Sequence, residues 1–424
     1  MHPLRANARI LAAALTGTAV EFYDFYVFAT ATALVFGQLF FPGSLPQAQG
    51  MQVFLVFGIA FVARPFGAIA FGHFGDRVGR KATLVASLLL MGGSTFAIAF
   101  LPGYASAGYI APLLLCLMRF GQGFGLGGEW GGAALLAVEN APKGWETRFG
   151  AAPQLGAPLG FLAANGLFLL LGLWLSEADF LAWGWRVPFL VSAVLVGIGL
   201  WVRLRLTETP AFKAAAAKAP PPAVPFGMLM RRHWGAVLAG SAGVIACFAL
   251  FYLSTAFALD MGVKQLGYTR EQFLLLQLGA NCFLALGIVL AVVQADRTSA
   301  RTVLLQGAVA TVLVGLYFSI GLHSGSTWLV FATLSAALLT MGFVYGPLGG
   351  WLASLYPVPV RYSGVSVAFN AGGIIGGAVT PLLAKQLTNA GLGSWIGLLL
   401  VAAGVLTLIG VLAARPRTAA DEAA

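Results

Sequence analysis

The sequence predicts an all-α membrane protein with twelve transmembrane helices arranged in two six-helix bundles. Three observations lead there: composition, the recurrence of apolar runs, and a one-sided distribution of basic residues. Of 424 residues, 59% are hydrophobic and only 9% charged, whereas a soluble domain carries about 25% charged residues to cover its surface. Apolar runs of membrane-spanning length recur twelve times, each near the ~20 residues that a bilayer requires. Of the 24 basic residues, 18 fall in the termini and alternate loops, four (Arg186, Lys264, Arg270, Lys385) fall on the other side, and Arg64 and Arg119 lie inside runs. The positive-inside rule then places both termini in the cytoplasm. The net charge of +10 follows from those short loops, so no nucleic-acid partner is expected.

The first run, 10–36, contains Glu21 and Asp24. It is span-length and lacks a small-residue cleavage site, so it is expected to be the first span rather than a removable leader. At ~1.5 Å per residue both carboxylates lie about 18–22 Å deep. Intramembrane acids are costly and mark ion pathways, so one of them is expected to take up and release a coupling proton. The alternative is a structural ion pair with Arg64 or Arg119. The second run, 51–72, holds Arg64 followed by Pro65, which permits a bend. Runs 82–101, 109–138, 149–173 and 187–206 complete the first unit, with Arg119 and Glu129 in the fourth. Both arginines reach the depth of the carboxylates, where a guanidinium fork suits an organic anion.

Residues 207–233, with the Ala- and Pro-rich stretch 214–222, read as a cytoplasmic linker between units 1–206 and 234–414, and 415–424 as a tail. The second unit has runs 234–259, 272–293, 302–321, 326–353, 362–384 and 394–414. Its polar candidates for substrate contact are Gln277, Asn281, Tyr345 and Asn370, with helix-to-helix bonding as the alternative. The units repeat weakly. Asp76-Arg77 and Asp296-Arg297 follow the second and eighth runs 220 residues apart, and Pro142 and Pro357 follow the fourth and tenth 215 apart. Such offsets point to duplicated six-span units.

Cys116, Cys247 and Cys282 stand alone in apolar runs and read as packing residues, and no metal or redox spacing occurs. Residues 123–128 satisfy G-x-G-x-x-G but lie inside a span, so they read as a packing face rather than a dinucleotide site. Trp183 and Trp185 read as an interfacial anchor. No nucleotide loop, catalytic triad or metal motif is visible, which argues against an enzyme and leaves the proton gradient as the energy source, with no cofactor.

The segment Gly72-His73-Phe74-Gly75-Asp76-Arg77-Val78-Gly79-Arg80-Lys81 resembles the loop signature of the major facilitator superfamily. Further stretches resemble its metabolite:proton symporter family, whose members include shikimate, α-ketoglutarate, citrate and proline/betaine carriers. They are Val20-Glu21-Phe22-Tyr23-Asp24-Phe25-Tyr26, Ala63-Arg64-Pro65-Phe66-Gly67, Arg119-Phe120-Gly121-Gln122-Gly123, Gly127-Gly128-Glu129-Trp130-Gly131-Gly132, Trp183 to Phe189 and Tyr356 to Gly364. The resemblance implies a monomeric transporter of the bacterial inner (cytoplasmic) membrane, taking up a small organic acid with protons by alternating access. Its partners would be the organic anion, protons and the lipid bilayer. A zwitterionic-osmolyte symporter, a proton-antiport exporter and a transporter-like metabolite receptor remain as alternatives. Tyr23 joins the substrate-binding candidates by this resemblance. Gly72, Asp76, Arg77, Gly79, Arg80, Glu129, Glu139 and Arg148 become candidates for a cytoplasmic gate, with Glu139 and Arg148 resembling an acid-to-arginine latch. The second-half loop departs from the pattern at Ser299, Ala300 and Ser354, which implies that the latch rests mostly on the first half.

Overall fold

The computed structural model describes residues 8–77, 80–142, 144–204, 225–357 and 360–415. Among these, ten helices are long and apolar enough to cross a membrane. They are α2 (Pro46–Arg77), α4 (Ile110–Val138), α5 (Glu146–Trp174), α6 (Gly184–Val202), α7 (Trp234–Lys264), α8 (Arg270–Arg297), α9 (Ala300–Leu322), α10 (Thr327–Ser354), α11 (Arg361–Asn389) and α12 (Gly393–Ala413). The first helix, α1 (Ala8–Leu34), interrupted in its apolarity by Glu21 and Asp24, and α3 (Arg80–Ile98) complete the expected twelve.

Local chemistry sets several boundaries. The Thr269 side chain accepts from the Gln272 N–H while the Gln272 side chain accepts from the Thr269 N–H, a reciprocal cap that starts α8. Ser299 caps α9 by accepting from the Thr302 N–H. Pro65 does not end α2, which runs through it. Two helices of the second half contain a widened π-helical turn: α7 at Leu253–Phe257 and α11 at Ile374–Val379. Part of the expected linker is itself helical, over Pro225–Arg232, and 205–224 lie outside the described residues.

The packing repeats. In the first half α1 packs on α5 and α6, α4 on α2 and α3, and α3 on α6; in the second α7 packs on α11 and α12, α10 on α8 and α9, and α9 on α12. The halves meet along α5–α8 and α2–α11, which occupy equivalent places in the repeat. A side chain at Gly123 or Gly127 of α4 would collide with the α2 backbone at Ala60 or Arg64, and one at Gly121 or Gly125 with α3. The glycine run is therefore a packing face, and its contact with α2 fixes the height of Arg64. Trp185 is buried, edge-on to Phe36, Phe40 and Phe189, so of the expected anchor pair Trp183 alone is exposed.

Candidate functional site

Between the halves lie two small cavities that share Tyr26. The first is lined by Phe22 and Tyr26 of α1, Cys247, Phe248, Phe251 and Tyr252 of α7, Met341 and Tyr345 of α10, and Phe369 of α11. Seven of these nine residues are aromatic. The second lies nearer the end opposite the basic loops and is bounded by α1, α5, α7 and α8. Its polar lining is Thr30, Asn165, Thr255 and Gln277.

Behind the first cavity stands Arg64. Its guanidinium lies 4.5 Å from the Phe25 and Phe61 ring centres and 5.8 Å from that of Phe248, beside the Tyr252 hydroxyl. Phe248 and Tyr252 are cavity wall, so one layer of rings separates this cation from the empty space. Arg119 is enclosed more completely. It contacts Phe25 and Phe28 at 4.1 and 4.0 Å, and donates to the Phe57 carbonyl at 3.3 Å and Gln122 Oε1 at 3.0 Å. Stacking on ring faces stabilises a desolvated guanidinium. Among the described residues neither arginine forms an ion pair with a carboxylate, and Arg64 Nε and Arg119 Nη2 have no hydrogen-bond partner. The alternative of direct neutralisation by Glu21 or Asp24 is thus not what the structure forms.

Asp24 turns toward α6, where the Ser192 hydroxyl donates to its Oδ1 at 2.5 Å. Thr95 lies beside the same carboxylate, and Gln122 donates to the Thr95 hydroxyl at 2.8 Å. Arg119 is thereby joined to Thr95 through Gln122, but the Thr95 hydroxyl donates to the Met91 carbonyl at 3.0 Å, and Asp24 Oδ2 has no hydrogen-bond partner among the described residues. Glu21 is buried one turn nearer the basic end and keeps contacts of its own.

The other candidates divide. Tyr345 lines the first cavity and Gln277 the second. Tyr23 does not: its hydroxyl donates to the Pro188 carbonyl at 2.9 Å, and Tyr26 takes the cavity position. Asn281 donates to the Pro158 carbonyl, and Asn370 to those of Gly127 and Ser366, so both tie helices together. Gly72 packs against Tyr362 and Ser363 of α11. Arg148 pairs across the halves with Asp296, so this ion pair joins both halves rather than lying within the first. Gly79 and the side chains of Asp76, Arg77, Arg80 and Glu139 lie outside the described residues. Glu129 is buried where α4 bends beside Gly128.

Sequence reading missed three features. Trp130 stacks on Phe369 across the halves, with ring centres 3.5 Å apart and planes 4° from parallel, and donates to the Tyr345 hydroxyl. Asn165 faces the second cavity. Asp260 on α7 accepts from Lys264 and from Lys385 of α11, each at 2.5 Å, and both Asp260 and Lys385 are buried. Lys385 therefore belongs to the bundle interior and not to an outer loop.

Comparison with known proteins agrees with this architecture. The profile of the sugar (and other) transporter family matches residues 10–220 and 224–422. The inner membrane metabolite transport protein YhjE of Escherichia coli K12 is 47% identical over 97% of this chain and 94% of its own. The shikimate transporter of the same organism is 36% identical over 89% and 87%. The solved structure of the proton:xylose symporter XylE bound to 6-bromo-6-deoxy-D-glucose superposes with a TM-score of 0.77 at 14% identity, covering 97% of this chain and 95% of that one. The chain belongs to the sugar (and other) transporter family of the major facilitator superfamily, and is a multi-pass membrane transporter of small metabolites rather than an enzyme.

Proposed function

We propose that this transporter takes up a small organic acid together with protons by alternating access, in a bacterial inner membrane with the basic loops and both termini on the cytoplasmic side. The observation that carries the reading is Arg64: a buried cation with no carboxylate paired to it among the described residues, one ring layer behind an enclosed cavity between the halves. A substrate carboxylate that reached Tyr252 would neutralise it, and charge-assisted bonds of that kind are strong where water is excluded. Arg119, held by Gln122 and the Phe57 carbonyl, serves as a fixed positive charge. Asp24 lies beside Thr95, at the end of the Arg119–Gln122–Thr95 chain, so proton occupancy of this carboxylate would alter the field at the site. Alternating access fits the paired contacts between halves, α2 on α11 and α5 on α8.

The test is uptake into sealed proteoliposomes under an imposed proton gradient, screening shikimate, hydroxybenzoates, dicarboxylates, citrate and betaines with and without an uncoupler. Uncoupler-sensitive accumulation of a carboxylate is expected, and Arg64→Ala should lower its uptake by about 100-fold, in line with a lost charge-assisted pair. Gradient dependence that persists in both Glu21→Gln and Asp24→Asn would remove these acids from coupling. The aromatic lining favours one rival: rings attract quaternary ammonium groups, so uptake of betaines alone would replace the organic-acid reading with a zwitterionic osmolyte.

A further inference from the structure

The second cavity holds polar groups that the fold leaves open. Thr30 of α1 donates to Asn165 Oδ1 of α5 at 2.5 Å, and Asn165 Nδ2, though buried, has no hydrogen-bond partner among the described residues. Turning the amide over exchanges the two atoms and still leaves one of them open. Across the cavity, Gln277 of α8 spends its Nε2 on the Ser254 and Thr255 carbonyls, both at 2.9 Å. Those carbonyls belong to the π-helical turn of α7, where backbone groups are released from the regular ladder. Gln277 is thereby fixed, and its Oε1 makes no hydrogen bond among the described residues. A donor and an acceptor thus face one small space from opposite walls.

A buried amide left unbonded costs about 1–3 kcal/mol, and this one lies in a space that shares Tyr26 as a wall with the aromatic cavity. We infer that Asn165, Thr30 and Gln277 form a subsite for the hydroxylated portion of the substrate, across Tyr26 from the aromatic cavity that takes its ring. The inference rests on the organic-acid reading above and narrows it to a hydroxylated cyclic monocarboxylate. Hydroxyl groups satisfy both walls, because each one donates and accepts. A second carboxylate would meet Gln277 Oε1 as an acceptor facing an acceptor. Citrate and dicarboxylates are accordingly expected to bind more weakly than hydroxylated monocarboxylates.

The experiment is equilibrium binding by titration calorimetry to the purified full-length protein, with two probes: shikimate and its deoxy counterpart cyclohex-1-ene-1-carboxylate. Sites built to bond a hydroxyl reject analogues that lack it, so the wild type should prefer shikimate by at least about 30-fold. Asn165→Leu should reduce that preference to within about threefold while leaving the deoxy probe within about threefold of its wild-type affinity. Thr30→Val and Gln277→Leu, each close in size to the residue replaced, should narrow it in the same direction and serve where Asn165→Leu fails to fold. Equal wild-type affinity for the two probes, or a preference unchanged in all folded variants, overturns the subsite and leaves the organic-acid reading standing. Failure of the wild type to bind either probe overturns the narrowing to a hydroxylated cyclic monocarboxylate, while the organic-acid reading falls only if the uptake screen finds no carboxylate.

Discussion

The two ends of the bundle are closed by different chemistry. At the basic end, neutral donors reach backbone carbonyls across the halves: Tyr362 to Gly128 and Asn370 to Gly127. Trp130 lies flat on Phe369, and Arg148 meets Asp296 at the rim. At the opposite end, among the described residues, Arg270 bonds to Glu177 at 3.1 Å, with Glu177 largely exposed, and stacks 3.8 Å over the Phe180 ring, and Asn389 makes a long contact with the Gln47 carbonyl at 3.4 Å. Below them the Asp260–Lys385 pair stays within the second half and rests on Gly50 of α2. Exposed ion pairs contribute little, whereas desolvated stacking and buried hydrogen bonds contribute more. The basic end is thus the firmer closure, and the opposite end is the one that thermal motion opens more readily.

The largest effect expected is from Asp260→Asn. It strands Lys385 in the interior without its charge partner, a loss of about 3–5 kcal/mol for buried pairs, read as a lower unfolding temperature in detergent. Lys385→Met should cost less, because Asp260 keeps Lys264. Equal losses would show that the pair is not desolvated as the structure has it.

Wedges test the comparison itself. A side chain at Gly131 collides with Ser366 of α11 at the basic end, and one at Gly50 collides with Lys385 at the other. In a protein whose remaining cysteine is Cys247, on the cavity wall, Gly131→Val should speed labelling by an impermeant maleimide added on the basic side, and Gly50→Val labelling on the opposite side. A shift of about 1.4 kcal/mol in the equilibrium appears as a tenfold rate change. If both wedges open the same side, the assignment of the two closures fails.

Tyr362→Phe removes one bond at the firm end, worth about 1 kcal/mol, and should raise basic-side labelling by roughly fivefold. Glu177→Gln, at the exposed rim, should change opposite-side labelling by less than that, since such pairs contribute ~0–1 kcal/mol. A larger effect at Glu177 than at Tyr362 would invert the ranking of the two ends.

The twelve helices were legible because length and apolarity are local properties, and the depth of Arg64 and Arg119 followed from helical rise alone. Asp260 and Lys385 were not. The apolar runs drawn at 234–259 and 362–384 each stop one residue before them, because a charge reads as the end of a span. The helices continue to Lys264 and Asn389, and the two charges bury against each other. Facing was the second obstacle. Nearly every residue of α1 from Val20 to Phe28 is buried, so no polar stripe distinguishes the side of Tyr26 from that of Tyr23. Partners such as Trp130 and Phe369, distant in sequence and each inside an apolar run, leave no local trace of meeting.

The wide turn of α7 at Leu253–Phe257 accommodates one surplus residue in an otherwise regular coil. Everything beyond it is rotated by about 100°, the angle of a single helical step. Removing Ala256 would restore the ordinary pitch and swing the following turn, Asp260 included, away from α11. The shape of the polar chamber and the pairing of Lys385 therefore depend on the same small irregularity, so a one-residue deletion there should do more harm than any point change within it.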